Sequence, residues 1–198
     1  MMTGTPVLEP PGAGLPWWEL LYGRHILFPL ACRRHSWVEA GRLFQEEGRR
    51  ILAVWDTLSP DQLRRRVLVR RPPGIEDSSR DWSIAMTVEH LLIVGSLARE
   101  TIASLRRGEV PAFVIRVAQV KPRGEGAPEE VRAAFVRLLD EDAAANATEP
   151  AMARAQGPRH RHPWLGPING FEWQFMMAMH QGLHRRQIEA IREGIGAD

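Results

Sequence analysis

Cysteine, tyrosine and lysine are each represented once in this chain of 198 residues. A single cysteine, Cys32, cannot form an internal disulfide, which excludes a disulfide framework and suits a reducing compartment, so a cytoplasmic location is expected. No positively charged stretch opens the N-terminus, and no secretory signal is expected. Long hydrophobic runs are missing too. The most apolar early stretch, residues 15–31, is interrupted by Glu19, Arg24 and His25, and it falls short of the roughly 20 apolar residues that span a bilayer. No membrane partner is expected from it. Nor does charge of one sign dominate: 26 Lys plus Arg face 24 Asp plus Glu, leaving +2. That balance gives no general basic field for a phosphate backbone. The arginine clusters Arg64–Arg66, Arg70–Arg71 and Arg159/Arg161 are therefore read as solvated surface, and nucleic acid is not an expected partner.

What is present describes an ordinary globular domain, with 44% hydrophobic and 25% charged residues. Apolar spacing predicts four long helices. The first runs from about Trp37 to Leu58, with Trp37, Phe44, Ile51, Trp55 and Leu58 on one stripe beside Gly41 and Gly48, Ser36 as N-cap and Pro60 as stop. The second follows Asp81 or Ser83 as cap and ends before Gly108, its buried stripe read as Met86, His90, Val94, Leu97, Thr101 and Leu105. A third opens at Pro128 with Glu129 and Glu130 on the positive end of the helix dipole, and buries Val131, Ala134, Phe135, Leu138 and Leu139. The fourth runs from about Asn169 to Gly194. Long loops connect them. The β-prone run Phe113-Val114-Ile115 reads as a short extended piece, not a sheet strand. The fold class is all-α, a four-helix bundle at 36–198 behind an N-terminal extension at 1–35.

Three of the seven histidines fall at core-facing helical positions. His180 and His184 differ by roughly 40° around their helix and lie one turn apart. Trp173, Met176, Met177, Gln187 and Ile191 share their side, with Ala178, Gly182, Arg185 and Glu189 opposite. His90 sits on the same kind of face in the second helix. Each imidazole buried separately needs its own hydrogen-bond partner, at about 1 to 3 kcal/mol for each polar group left unsatisfied. A shared divalent metal satisfies all three at once and leaves coordination positions open. Separately satisfied core histidines are the alternative, and spacing alone does not choose between them.

The stretch Asp81-Trp82-Ser83-Ile84-Ala85-Met86-Thr87-Val88-Glu89-His90-Leu91 resembles the start of the second helix in the DinB/YfiT-like superfamily of metal-binding four-helix bundles. Residues 162–191, HPWLGPINGFEWQFMMAMHQGLHRRQIEAI, resemble its last loop and helix. The resemblance implies an up-down-down-up bundle, frequent homodimers, and a divalent metal, nickel or zinc, held by one histidine of the second helix and two of the fourth: here His90, His180 and His184. It also implies thiol-dependent transferase activity with a low-molecular-weight thiol of the mycothiol, bacillithiol or glutathione type. The competing reading is a stress-associated protein that holds a metal or small ligand without turnover.

Gln187 and Glu47 are candidates to accept the second N–H of a metal-bound imidazole. His160 and His162, in the loop before the fourth helix, are candidates to contact a small-molecule substrate, against the alternative of a solvated basic loop. Nothing near Cys32 identifies a base that would activate it. Trp37, Trp55, Trp82 and Trp173 are expected in the core.

Overall fold

The computed structural model describes residues 7–155 and 157–196; residues 1–6 of the extension, residue 156 and residues 197–198 lie outside it. The protein is mostly helical. Short helices α1 (Trp17–Tyr22) and α2 (Phe28–Arg34) are joined by a π-helical turn, Gly23–Leu27, and precede α3 (Trp37–Trp55) and α4 (Pro60–Arg64). Then come β1 (Val67–Leu68), β2 (Asp81–Trp82), α5 (Ile84–Arg106), α6 (Pro128–Thr148), β3 (Arg159–His162), β4 (Gly166–Asn169) and α7 (Gly170–Gly196). The strands form two separate antiparallel pairs, β1 with β2 and β3 with β4. Among the four long helices, α7 packs on α3 and α5, and α6 packs on the same two.

Local chemistry sets the helix ends. Ser36 Oγ accepts the N–H of Glu39, whose carboxylate accepts the N–H of Ser36, closing a capping box on α3. Asn169 and Glu172 make the same reciprocal pair at the start of α7. At the end of α5 the N–H groups of Gly108 and Glu109 bond back to Leu105 and Ser104, a double closure that needs the positive φ of Gly108, 82°. Pro60 does not act as the stop of α3, which ends earlier, at Trp55. It is the first residue of α4, behind Ser59 in a second capping box with Gln62.

The core stripe of α3 follows the spacing read from sequence, and Trp37, Trp55, Trp82 and Trp173 are all buried. On α5 the stripe turns. Leu91, Ala98 and Ile102 are core, whereas Met86, Val94 and Leu97 are only half-buried. Ala178 of α7, read as outward-facing, is buried, because α7 is covered by α3 on one side and α5 on another. The segment at 113–115 belongs to no helix or sheet strand and runs into a 3₁₀ turn, Val117–Val120. The hairpin of β3 and β4 stands where a loop was expected, its register pairing His160 with Ile168 and His162 with Gly166.

Small residues let α6 approach its neighbours. A Cβ on Gly48 would lie 2.5 Å from Cδ2 and 2.8 Å from Cδ1 of Leu139, so the whole branched end of that side chain fills the space. Gly48→Ala is expected to destabilise by about 1 kcal/mol, the overpacking cost of about 1–3 kcal/mol outweighing the helix-propensity gain of about 1 kcal/mol. At Gly23, where nothing lies within 4 Å of an added Cβ, alanine is expected to stabilise by about 0.5–1 kcal/mol. Urea unfolding of the two variants checks the opposite signs.

Candidate metal centre

His90 projects from α5, and His180 and His184 from successive turns of α7. One nitrogen from each of the three rings lies within 4.8 Å of the others. His90 Nε2 and His180 Nε2 are 3.3 Å apart, and the ring centroids of His180 and His184 are 4.5 Å apart. Two nitrogens each roughly 2.0–2.1 Å from one tetrahedral ion sit roughly 3.3 Å from each other, so the His90–His180 spacing fits two ligands of one metal.

The surroundings decide which nitrogens point inward. His90 Nδ1–H donates to the Val120 carbonyl at 2.7 Å, which leaves Nε2 with its lone pair facing the cluster. His184 Nδ1–H donates to Gln187 Oε1 at 2.8 Å. The amide of Gln187 is itself oriented, since its Nε2 donates to the Ser79 carbonyl at 2.6 Å. Burial pushes His90 down to about 4, with the Lys121 charge also lowering it against the bond to Val120. Burial likewise holds His180 and His184 well below the ordinary histidine range. All three are neutral near pH 7, the form that binds a metal. Trp82 closes one side, stacked on His184 with 13° between ring planes.

The rings form part of the wall of a cavity of about 470 Å³. Apolar side chains dominate its lining, among them Val94, Ile115, Met176 and Leu183, and α1, the π-helical turn and α2 roof it with Trp18, Leu27 and Phe28. The roof is tied to the body by polar contacts. The carboxylate of Glu19, buried at the base of α1, binds the Arg71 guanidinium and the Gly74 N–H. Arg154 donates to the carbonyls of Cys32, Arg33 and His35 at the end of α2.

The candidate contacts separate. Gln187 touches His184 directly. Glu47 instead gives its carboxylate to Arg185 and Arg50, so Arg185 takes the place proposed for an imidazole. His162 lines the cavity, its Nδ1 accepting the backbone N–H groups of Trp164 and Leu165. His160 belongs to the same strand but is buried against Trp173, its Nε2–H donating to the Phe113 carbonyl at 2.8 Å, so neither the solvated loop nor a cavity contact describes it. Burial pushes the Cys32 thiol up to about 12, with Glu172 adding to the effect, which leaves no nucleophile there.

Residues 43–188 match the family model of the DinB superfamily. The chain belongs to that superfamily. No curated protein and no solved structure matches it. The region shared with the DinB superfamily contains all three histidines, Gln187 and His162, and it begins within α3, so the roof of α1 and α2 lies outside it.

Sequence reasoning missed a polar brace beside the rings. Lys121 Nζ donates to Glu76, Ser78 and Ser79, each at 2.8 Å, and lies over the Trp82 ring. Its three donors are thereby used. Glu76 also accepts the Ser78 hydroxyl and, from far earlier in the chain, the N–H groups of Gly12 and Gly14. The one available signal was compositional, a lone lysine in an arginine-rich chain. Burial raises the Glu76 pKa, but Lys121 and the two backbone donors outweigh it and leave the carboxyl below its ordinary 4.5. A lowered folded-state value contributes stability above the unfolded pKa and loses it as pH falls through the folded one. Glu76→Gln is therefore expected to destabilise at pH 7 by about 1–3 kcal/mol, the cost of removing the charge partner of a half-buried ammonium that keeps its two serine acceptors. Its deficit against the wild type is expected to shrink as pH drops below the carboxylate range, measured by urea unfolding across pH.

Proposed function

We propose that this DinB-superfamily chain is an up-down-down-up four-helix bundle that holds one divalent transition metal, nickel or zinc, through His90, His180 and His184. In this reading the metal serves a small-molecule reaction in the adjoining cavity, a transfer to or from a low-molecular-weight thiol. The observation that carries the metal is the convergence of three neutral imidazoles, His90 and His184 buried and His180 half-buried, the first two oriented by oxygen acceptors on their far nitrogens. The cavity favours turnover over mere storage of a metal, because a ligand of drug-like size fits beside the rings. Homodimer formation and a cytoplasmic location belong to the same proposal.

A divalent metal held by His90, His180 and His184 would supply Lewis-acid chemistry, lowering the pKa of a thiol or water toward neutrality. The chain's own residues do the rest. Val120 and Gln187 fix the rings of His90 and His184, so that ligand geometry does not depend on mobile side chains. Trp82, Met176 and Leu183 keep bulk water from the rings and strengthen local electrostatics. His162 accepts two backbone N–H groups at Nδ1, so its proton resides on Nε2, which it offers to a cavity ligand as a fixed donor. Burial holds its pKa down at about 3, and the ring stays neutral while doing so.

Elemental analysis of protein purified without a histidine tag tests the site. Near one equivalent of nickel or zinc is expected in the wild type, lost in His90→Ala and in His180→Ala, and Gln187→Ala is expected to weaken affinity by about 10- to 100-fold. A wild type that carries no metal and takes up neither added zinc nor nickel overturns the reading. His162→Ala is expected to keep its metal while turnover in thiol-transfer assays falls on the order of a hundredfold.

A further inference from the structure

The roof of the cavity has two apolar faces. One set of side chains, Trp18, Tyr22, Leu27 and Phe28, meets the cavity, and a second set that does not line it is open: Trp17 is 74% exposed, Leu21 50%, Ile26 46% and Leu30 43%. Trp17, Leu21, Ile26 and Leu30 recur at steps of four, five and four, the longer step crossing the π-helical turn, so these side chains form a stripe along the roof. A contiguous apolar patch of this kind marks an interaction surface.

Charge identifies the occupant. From Leu20 to Val38 the sequence contains no acidic residue. Arg24, His25, Arg33 and Arg34 in the same segment are all exposed. The nearest preceding carboxylate, Glu19, is buried and neutralised by Arg71. A second copy of this chain docking by a two-fold axis would set the same basic residues against each other, which costs rather than gains. Exposed tryptophan, tyrosine and leucine flanked by arginine instead match the composition of a helix lying in a lipid interface.

We propose that the outer face of α1 and α2 docks on the surface of an anionic lipid bilayer. Docking lays the cover of the apolar cavity against the bilayer. The earlier expectation of no membrane partner rested on span length alone. Among the described residues no helix is long and apolar enough to cross a membrane, and surface docking requires none. The inference is independent of the metal.

Co-sedimentation of the full chain with phosphatidylcholine vesicles, with and without phosphatidylglycerol, tests it. The wild type is expected to pellet with the anionic vesicles, to stay in solution with the neutral ones, and to be released by added salt. Arg33→Glu with Arg34→Glu is expected to weaken partitioning by roughly 30-fold. Leu21→Ser with Ile26→Ser is expected to abolish it. All four positions are exposed, so thermal unfolding midpoints are expected to stay at the wild-type value, and the salt dependence of the wild type stands as evidence without any variant. Absence of anion-dependent pelleting overturns the proposal. So does a wild-type dimer, seen by light scattering, that Leu21→Ser with Ile26→Ser converts to monomer while vesicles remain unbound.

Discussion

Three imidazoles meeting at one buried point is the constraint on which the rest of the structure depends. Bringing His90, His180 and His184 together removes them from water and disfavours any charge on them, so none of the three can satisfy another as an ion. An inner nitrogen must keep its lone pair, and the outer nitrogens of His90 and His184 then spend their protons on acceptors elsewhere. For His90 the acceptor is a backbone carbonyl, Val120, and for His184 a side chain, Gln187, that is itself anchored on Ser79. The cost of leaving a buried polar group unpaired, about 1–3 kcal/mol each, explains why segments far apart in sequence are drawn to this one place.

Those segments are held by a second layer of polar contacts. Val120 and Lys121 are adjacent, so the residue that orients His90 is next to the one that binds Glu76 and the two serines. Ser79 accepts from Gln187 through its carbonyl and from Lys121 through its hydroxyl. The same glutamate reaches the backbone of Gly12 and Gly14. One buried ion pair thus links the chain before α1, the turn before β2 and the segment before α6 around the histidines. A pair of this sort adds little net stability compared with apolar packing, and its contribution is register: it specifies which segments meet.

Much of the fold was legible because the four long helices carry a strong period and standard end signals: Ser36, Ser83, Pro128 and Asn169 stand within a residue of the observed starts. The three histidines were legible for the same reason, as polar residues on apolar faces. Where the reading slipped, a physical ambiguity lay behind it. Periodicity counts apolar residues without asking what they face, and α5 borders both the core and the cavity, so Val94 on the cavity side and Leu91 on the core side look alike. The β3–β4 hairpin escaped notice because Arg159–His162 contains no apolar letter. Histidine takes the inward positions there, His160 buried and His162 on the cavity wall, with the arginines alternating outward. Glu47 met Arg185 instead of an imidazole, a contact between helices that no single-helix pattern contains.

The roof carries this reasoning furthest. Residues 15–31 read as an apolar stretch too short and too interrupted to span a bilayer, and that judgement concerns spanning alone. Its outcome in the fold depends on where the interruptions fall: Glu19 is turned inward onto Arg71, whereas Arg24, His25, Arg33 and Arg34 remain outside. The segment therefore hides its one acid, seals the cavity with one set of apolar side chains and exposes another set among basic residues. A helix that only needed to cover a core would gain nothing from the exposed Trp17, Leu21 and Ile26, since each leaves apolar area in water. Their exposure is intelligible when the roof is also a surface for something apolar and negatively charged, and the cavity beneath it opens the same physical question from the inside.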